Sequence, residues 1–119
     1  MTKIYKGNGW KATLLGNCKD GRIYRGYGWK SELIGSYDEK NVFYGSGWSR
    51  TLLVFYSEGY VYEKKGIWRE RIGMYHDGKV YRGTGLFKEL IGEYEGNDNG
   101  AAAAALLLST LYEKLINPL

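Results

Sequence analysis

The sequence predicts a mainly all-β fold: a pseudo-symmetric closed array of short antiparallel β-hairpins from five 19-residue repeats, plus one C-terminal α-helix. Three observations predict it. The chain repeats itself without insertion or deletion, in units beginning at Ile4, Ile23, Val42, Val61 and Val80, and such self-similarity sets the architecture before any motif is read. Glycine is abundant at 18 residues while proline occurs once, at Pro118, which favours tight turns between short strands over a disordered linker. After residue 99 the composition switches to alanine and leucine, the best helix formers.

Each unit opens on a strand. Its first column is Ile4, Ile23, Val42, Val61 and Val80, always β-branched, and its second is Tyr5, Tyr24, Phe43, Tyr62 and Tyr81, always aromatic. Both types suit a pleated, half-buried surface. Neighbours along a strand point to opposite faces, so the two columns form two layers. Gly-x-Gly-Trp follows at Gly7–Trp10, Gly26–Trp29 and Gly45–Trp48; it becomes Lys64-Lys65-Gly66-Ile67 in the fourth unit and Gly83-Thr84-Gly85-Leu86 in the fifth. The second glycine holds in all five, as expected of a backbone position needing positive φ or a close approach.

A second strand comes next, with the aliphatic column Leu15, Ile34, Leu53, Ile72 and Ile91. Glycine follows in four units, at Gly16, Gly35, Gly73 and Gly92, with Val54 in the third. Glycine weakens a strand and so needs a reason; an aromatic ring from the neighbouring strand lying over it would supply one. The strand ends on Tyr37, Tyr56, Tyr75 and Tyr94, with Cys18 as the odd member. Asp20-Gly21, Glu58-Gly59 and Asp77-Gly78 then turn the chain back onto the next unit. A lone hairpin is marginal in water, and closing the array removes exposed sheet edges.

Residues 1–99 therefore form the β-repeat domain, and 100–119 an apolar helix packed on or in that same domain. Asp98 or Asn99 is the expected N-cap and Asn117-Pro118 the stop. The run is too short to span a bilayer, which takes about 20 apolar residues. Its start is apolar nearly all round, which points to burial against or inside the array. A protein partner or a second copy of the chain bound through this helix is the other use, and a weak membrane contact a third.

The formal net charge is +4, with basic and acidic residues interspersed along the chain. This predicts a mixed soluble surface and gives no strong nucleic-acid signal. The N-terminus lacks the apolar core of a signal peptide, so a cytoplasmic location is the default. One cysteine cannot form an internal disulfide, and no C-x-x-C pair offers a zinc site.

Catalysis finds little here. His76 is the only histidine and occupies a turn position filled elsewhere by Lys19, Asp38, Ser57 and Glu95; a general base needs a positioned partner and a pocket. Cys18 stands in a tyrosine column and reads as a space-filler. The Gly-x-Gly segments lack the third glycine and the βαβ context of a dinucleotide site. No cofactor, metal or catalytic residue is expected.

The tryptophans are the livelier feature. Trp10, Trp29 and Trp48 share one column, completed by Ile67 and Leu86, with Trp68 and Phe87 one place later. Exposed, Trp10, Trp29, Trp48 and Trp68 would form a stacking row for glycans or a quaternary ammonium. Buried, they are a core layer, and the aliphatic members favour that reading. Nucleic-acid stacking beside Lys11, Arg25, Lys30 and Arg82 is a weaker third option.

Ile23-Tyr24, Leu33-Ile34-Gly35, Tyr37 and Gly78-Lys79-Val80-Tyr81, followed by the Gly-Ala-Leu tail, resemble the bacterial 4-fold β-flower domain family. The resemblance covers roughly residues 4–94 and the tail. It implies a flower-like pseudo-symmetric β-array, often with a hydrophobic helix behind it, and no known activity. This chain departs from it with a prominent Gly-x-Gly-Trp segment and five units rather than four. Either four tight turns make four hairpins and the strands at Ile4 and Ile91 close the ring, or the ring is five-fold. The Gly-Trp and Asp-Gly-x-x-Tyr spacing is also similar to choline-binding repeats, though the Trp-Tyr-Tyr hairpin of those repeats is missing. The expected function is a non-enzymatic structural or protein-interaction module, with small-ligand binding on the Trp/Tyr column as the alternative.

Overall fold

In a computed structural model, the described residues are 1–107 other than Asn8, Tyr27, Ser46, Thr84 and Asp98. Ten strands form a closed antiparallel barrel: β1 (Thr2–Lys6), β2 (Thr13–Lys19), β3 (Arg22–Arg25), β4 (Glu32–Tyr37), β5 (Asn41–Tyr44), β6 (Thr51–Ser57), β7 (Tyr60–Lys65), β8 (Trp68–His76), β9 (Lys79–Arg82) and β10 (Glu89–Glu95). Each repeat supplies two of them. Every strand pairs with its neighbours in sequence, and β1 pairs with β10 to close the ring. The ring is five-fold, and the strands holding Ile4 and Ile91 are the ones that close it.

The two predicted layers are real. Ile4, Ile23, Val42, Val61 and Val80 are fully buried and face the lumen, while the aromatic column is half-buried on the outside. Phe55 stacks on Tyr62 there with ring centroids 5.4 Å apart, and the Arg50 guanidinium lies 3.9 Å from the Phe43 ring.

The second-strand aliphatic column has a role that period-two reasoning misses. Ile4 opposes Gly16 while Tyr5 opposes Leu14, so Leu15 is left as a bulge. The same skip recurs at Ile34, Leu53, Ile72 and Ile91. A bulge bends its strand and increases the local twist, so five equivalent bulges curve the sheet five times. The bulged side chains pack onto the core.

The strand glycines exist for a reason other than the expected one. No aromatic ring covers them; a backbone oxygen does. A Cβ on Gly35 would stand 2.6 Å from the Phe43 carbonyl oxygen, and one on Gly73 would stand 2.5 Å from that of Tyr81. Gly16 and Gly92 meet Tyr24 and Tyr5 in the same way. Val54 escapes because it faces β7, the one first strand that runs on regularly through Lys64 and Lys65 instead of breaking at a glycine. The two departures from the repeat, Val54 and Lys64, thus fall on one pair of neighbouring strands.

The units join through tight turns. Asp20-Gly21, Glu58-Gly59 and Asp77-Gly78 all have positive φ at both positions, the type I′ geometry that matches strand twist. Lys40 replaces glycine in the fourth such turn, and the Asp38 side chain compensates. Its Oδ1 accepts from the amides of Lys40 at 2.9 Å and Asn41 at 2.8 Å.

Helix α1 (Asn99–Leu107) runs inside the barrel. It packs against β1 and β10 on one side of the ring and β5 and β6 on the opposite side. Ala101 to Leu107 are all buried. Ten strands at about 4.8 Å spacing and roughly 40° tilt put the wall about 10 Å from the axis, leaving room for a helix of small side chains. These residues are enclosed, so no second helix can dock on them. The expected Asp98 cap, the Asn117-Pro118 stop and the rest of the helix from Leu108 lie outside the described residues. No described helix is long and apolar enough to cross a membrane.

Candidate functional site: the ring of loop tips

An up-and-down barrel gathers alternate connections at each end. The tight inter-unit turns lie at one end, and the helix enters there, because it follows β10. The Gly-x-Gly connections all lie at the other. In four units they form a 3₁₀ turn, at Gly9–Lys11, Gly28–Lys30, Gly47–Ser49 and Gly85–Phe87. In the fourth unit, β7 and β8 run on to a tight Gly66-Ile67 turn. Both glycines of the motif have φ between +61° and +78° wherever they occur, so the loop shape depends on glycine.

These loops are tied to the preceding unit. The amide of Gly26 donates to the Leu15 carbonyl at 2.8 Å, that of Gly45 to Ile34 at 3.2 Å, and that of Gly83 to Ile72 at 2.9 Å. The bulged residue thus gives its carbonyl to the next loop's first glycine. Ser36 Oγ donates to the Gly45 carbonyl at 2.9 Å, and Glu93 Oε1 accepts from the Gly9 amide at 2.9 Å.

The tips these loops carry are apolar and in solvent. Trp10 and Trp29 are 90% exposed and Trp48 103%; Ile67 is 94%, Leu86 96% and Trp68 75%. The expectation of a tryptophan core layer is overturned. Aliphatic members in the column signalled interchangeable apolar tips, not burial, because the core position was already taken by the β-branched column. The molecule measures 39 × 39 × 27 Å. Two equal widths fit rotational pseudo-symmetry about the short axis. The wall is only about 20 Å across, so the loops flare outward and hold the tips apart.

On an otherwise mixed surface, basic residues gather at the tip end. Each tip is followed within two residues by a base: Lys11, Lys30, Arg50, Arg69 and Lys88. Lys64 and Lys65 add two more in the fourth loop. Residues 7–12, 26–31, 45–50, 64–69 and 83–88 together hold seven basic residues and no acidic one. Stretches of the same length around the four tight turns, residues 18–23, 37–42, 56–61 and 75–80, hold five acidic residues and four basic ones. A collar of carboxylates below the tips is engaged: Glu32 pairs with Arg25, and Glu70 with Lys65 at 2.7 Å, which holds the Lys65 ammonium above its ordinary range.

The other sequence candidates fall elsewhere. Cys18 is fully buried in the core. His76 is exposed at the turn end, with Nε2 2.9 Å from Asp77 Oδ2. Among the described residues no group of three or more His, Cys, Asp or Glu could hold a metal ion. The larger hollows are open surface features; one of about 630 Å³ is lined by Phe55, Lys64, Ile67, Trp68 and Arg69 beside the fourth tip. Comparison with protein-family models, curated proteins and solved structures gave no match.

Proposed function

We propose that this protein is a non-enzymatic interaction module whose working face is the ring of apolar, basic loop tips. The observation that carries this reading is the exposure of large apolar side chains at equivalent places in all five units. Scattered exposed hydrophobics need no explanation, but a repeated set on one face marks a binding surface. The sequestered Cys18 and the solvent-facing His76 support the absence of catalysis.

The alternative, a small-ligand cage, is less well supported. The tryptophans stand on separate loops, whereas a quaternary ammonium site gathers several rings around one cation. A broad partner surface suits separated tips better. Kinship with the 4-fold β-flower repeats is a further proposal, supported by the flared ring and lumenal helix, with five units as the point of difference.

A photo-crosslinking residue in place of Trp29, compared with one in place of Ser57 at the turn end, tests the working face in cells. Macromolecular adducts from position 29 and none from 57 are expected. Adducts from 57 alone would place the binding face at the opposite end and overturn the reading.

A further inference from the structure

We infer that the partner of the tip ring is the surface of an anionic lipid bilayer, into which the five tips dip while their basic neighbours meet the headgroups. The inference rests on the proposed working face and adds the chemistry of what it meets. Three features of the ring lead there.

The tips are chemically interchangeable. One structural position is held by Trp in three units and by Ile67 and Leu86 in the others. Trp68 and Phe87, exposed one place later in those two units, give every loop a ring but not at one fixed place, which suits neither a regular stacking row nor a protein pocket of particular shape. A hydrocarbon boundary needs only an apolar side chain. Tryptophan is moreover the residue that favours the bilayer–water interface.

Every tip carries its own base. Lys11, Lys30, Arg50, Arg69 and Lys88 recur beside the apolar apex, the pairing seen where interfacial segments meet anionic lipid. Long basic side chains keep the charge at the headgroups while their stems lie along apolar surface.

The axial charge asymmetry orients approach. The tip loops carry only positive charge while the turn end is close to balance, so an anionic surface attracts the tip end more strongly. All five tip loops join strands at the same end of the barrel, so they are presented to the same side. In four of the five loops, fixing two glycines at positive φ and tying the loop to the neighbouring unit removes much of the entropy that mobile loops would lose on docking.

The test is co-sedimentation of the full chain with vesicles of phosphatidylcholine alone and of phosphatidylcholine mixed with phosphatidylserine, with tryptophan emission followed in parallel. Binding to the mixed vesicles, a blue shift and weakening by added salt are expected. Trp29→Ser with Trp48→Ser should lower partitioning on the order of tenfold. Lys11→Glu and Lys88→Glu should each lower it at least about fivefold. Lys79→Glu, at the turn end, makes the same change in net charge and should leave binding unchanged. Unaltered thermal melts would show that the tip variants fold.

Vesicle binding that survives the tip variants, or falls equally with Lys79→Glu, would overturn docking through the ring. No vesicle binding, with protein or nucleic-acid adducts from position 29, would overturn the lipid partner and leave the working face standing. No vesicle binding, with adducts only from position 57, would remove both.

Discussion

The amide of Gly7 donates to the carbonyl of Ile91 at 3.1 Å, joining the first loop of the chain to the last bulge. It is the contact that Gly26, Gly45 and Gly83 make with the units before them, now made between the two ends of the barrel. Gly7 has φ +78°, which proline cannot adopt and which costs other residues about 1–2 kcal/mol. Gly7→Ala should therefore cost about 1–2 kcal/mol in urea unfolding, and Gly7→Pro at least about 3 kcal/mol through lost hydrogen bond and forced φ. Equal effects would mean that the closing bond contributes nothing.

Glycine in the second strand is a matter of space, not of φ. Gly35→Ala sets a methyl against the Phe43 backbone oxygen at 2.6 Å, and a backbone atom can yield only if the strands part. A loss of about 3 kcal/mol is expected. Val54→Gly should also destabilise, by about 2 kcal/mol, because a buried side chain is removed. A harmless Gly35→Ala in chemical denaturation would refute the close approach.

The lumenal helix makes barrel and plug one cooperative unit. Ala103 is fully buried at the narrow centre, so Ala103→Leu should cost about 3 kcal/mol by overpacking. Removing residues 100–119 should leave the strand amides without slow hydrogen exchange. Strong protection in the truncated chain would show that the barrel stands without its filling.

Tips that play no part in folding should be thermodynamically quiet. Trp10→Ser, Trp29→Ser and Trp48→Ser should each change stability by no more than about 0.5 kcal/mol. Emission from the native chain should resemble indole in water and be open to iodide quenching. A blue-shifted, protected spectrum of the free chain would contradict the exposure of the ring.

Asp38 gives a pH signature. Slight desolvation pushes its carboxyl up, but the amides of Lys40 and Asn41, the Asn41 side chain and the charge of Arg50 outweigh this and hold it below its ordinary value of 3.8. A carboxyl lowered by folding stabilises the native state above 3.8 and loses that contribution as pH falls through its folded value. The wild type should thus lose stability in acid that Asp38→Asn never had. Matching acid-unfolding profiles for the two proteins would sink the assignment.

Much of the fold was legible in the chain. The β-branched column announced the lumen, the aromatic column the outer wall, and Asp20-Gly21, Glu58-Gly59 and Asp77-Gly78 the inter-unit turns. Lone glycines hid the rest, because Gly16 and Gly35 answer a carbonyl of the following strand, a contact that no residue type signals. The site was less legible still. Ile67 and Leu86 in a tryptophan column read more readily as core than as interchangeable tips, and only the existence of a separate core column decides against that reading. The charge pattern was invisible along the sequence because Lys11 and Asp20, nine positions apart, sit at opposite ends of the barrel.

Near-identical repeats invite whole-unit gains and losses by recombination, and the alanine tract stands against them. A sixth unit would add two strands and widen the wall from about 10 to about 12 Å in radius, leaving the helix loose in a void. A lost unit would close the wall onto it. Ala102 to Ala105 thus act as a gauge for the number of units, and any lineage that changed the ring would have to change the caliper of its core in the same step.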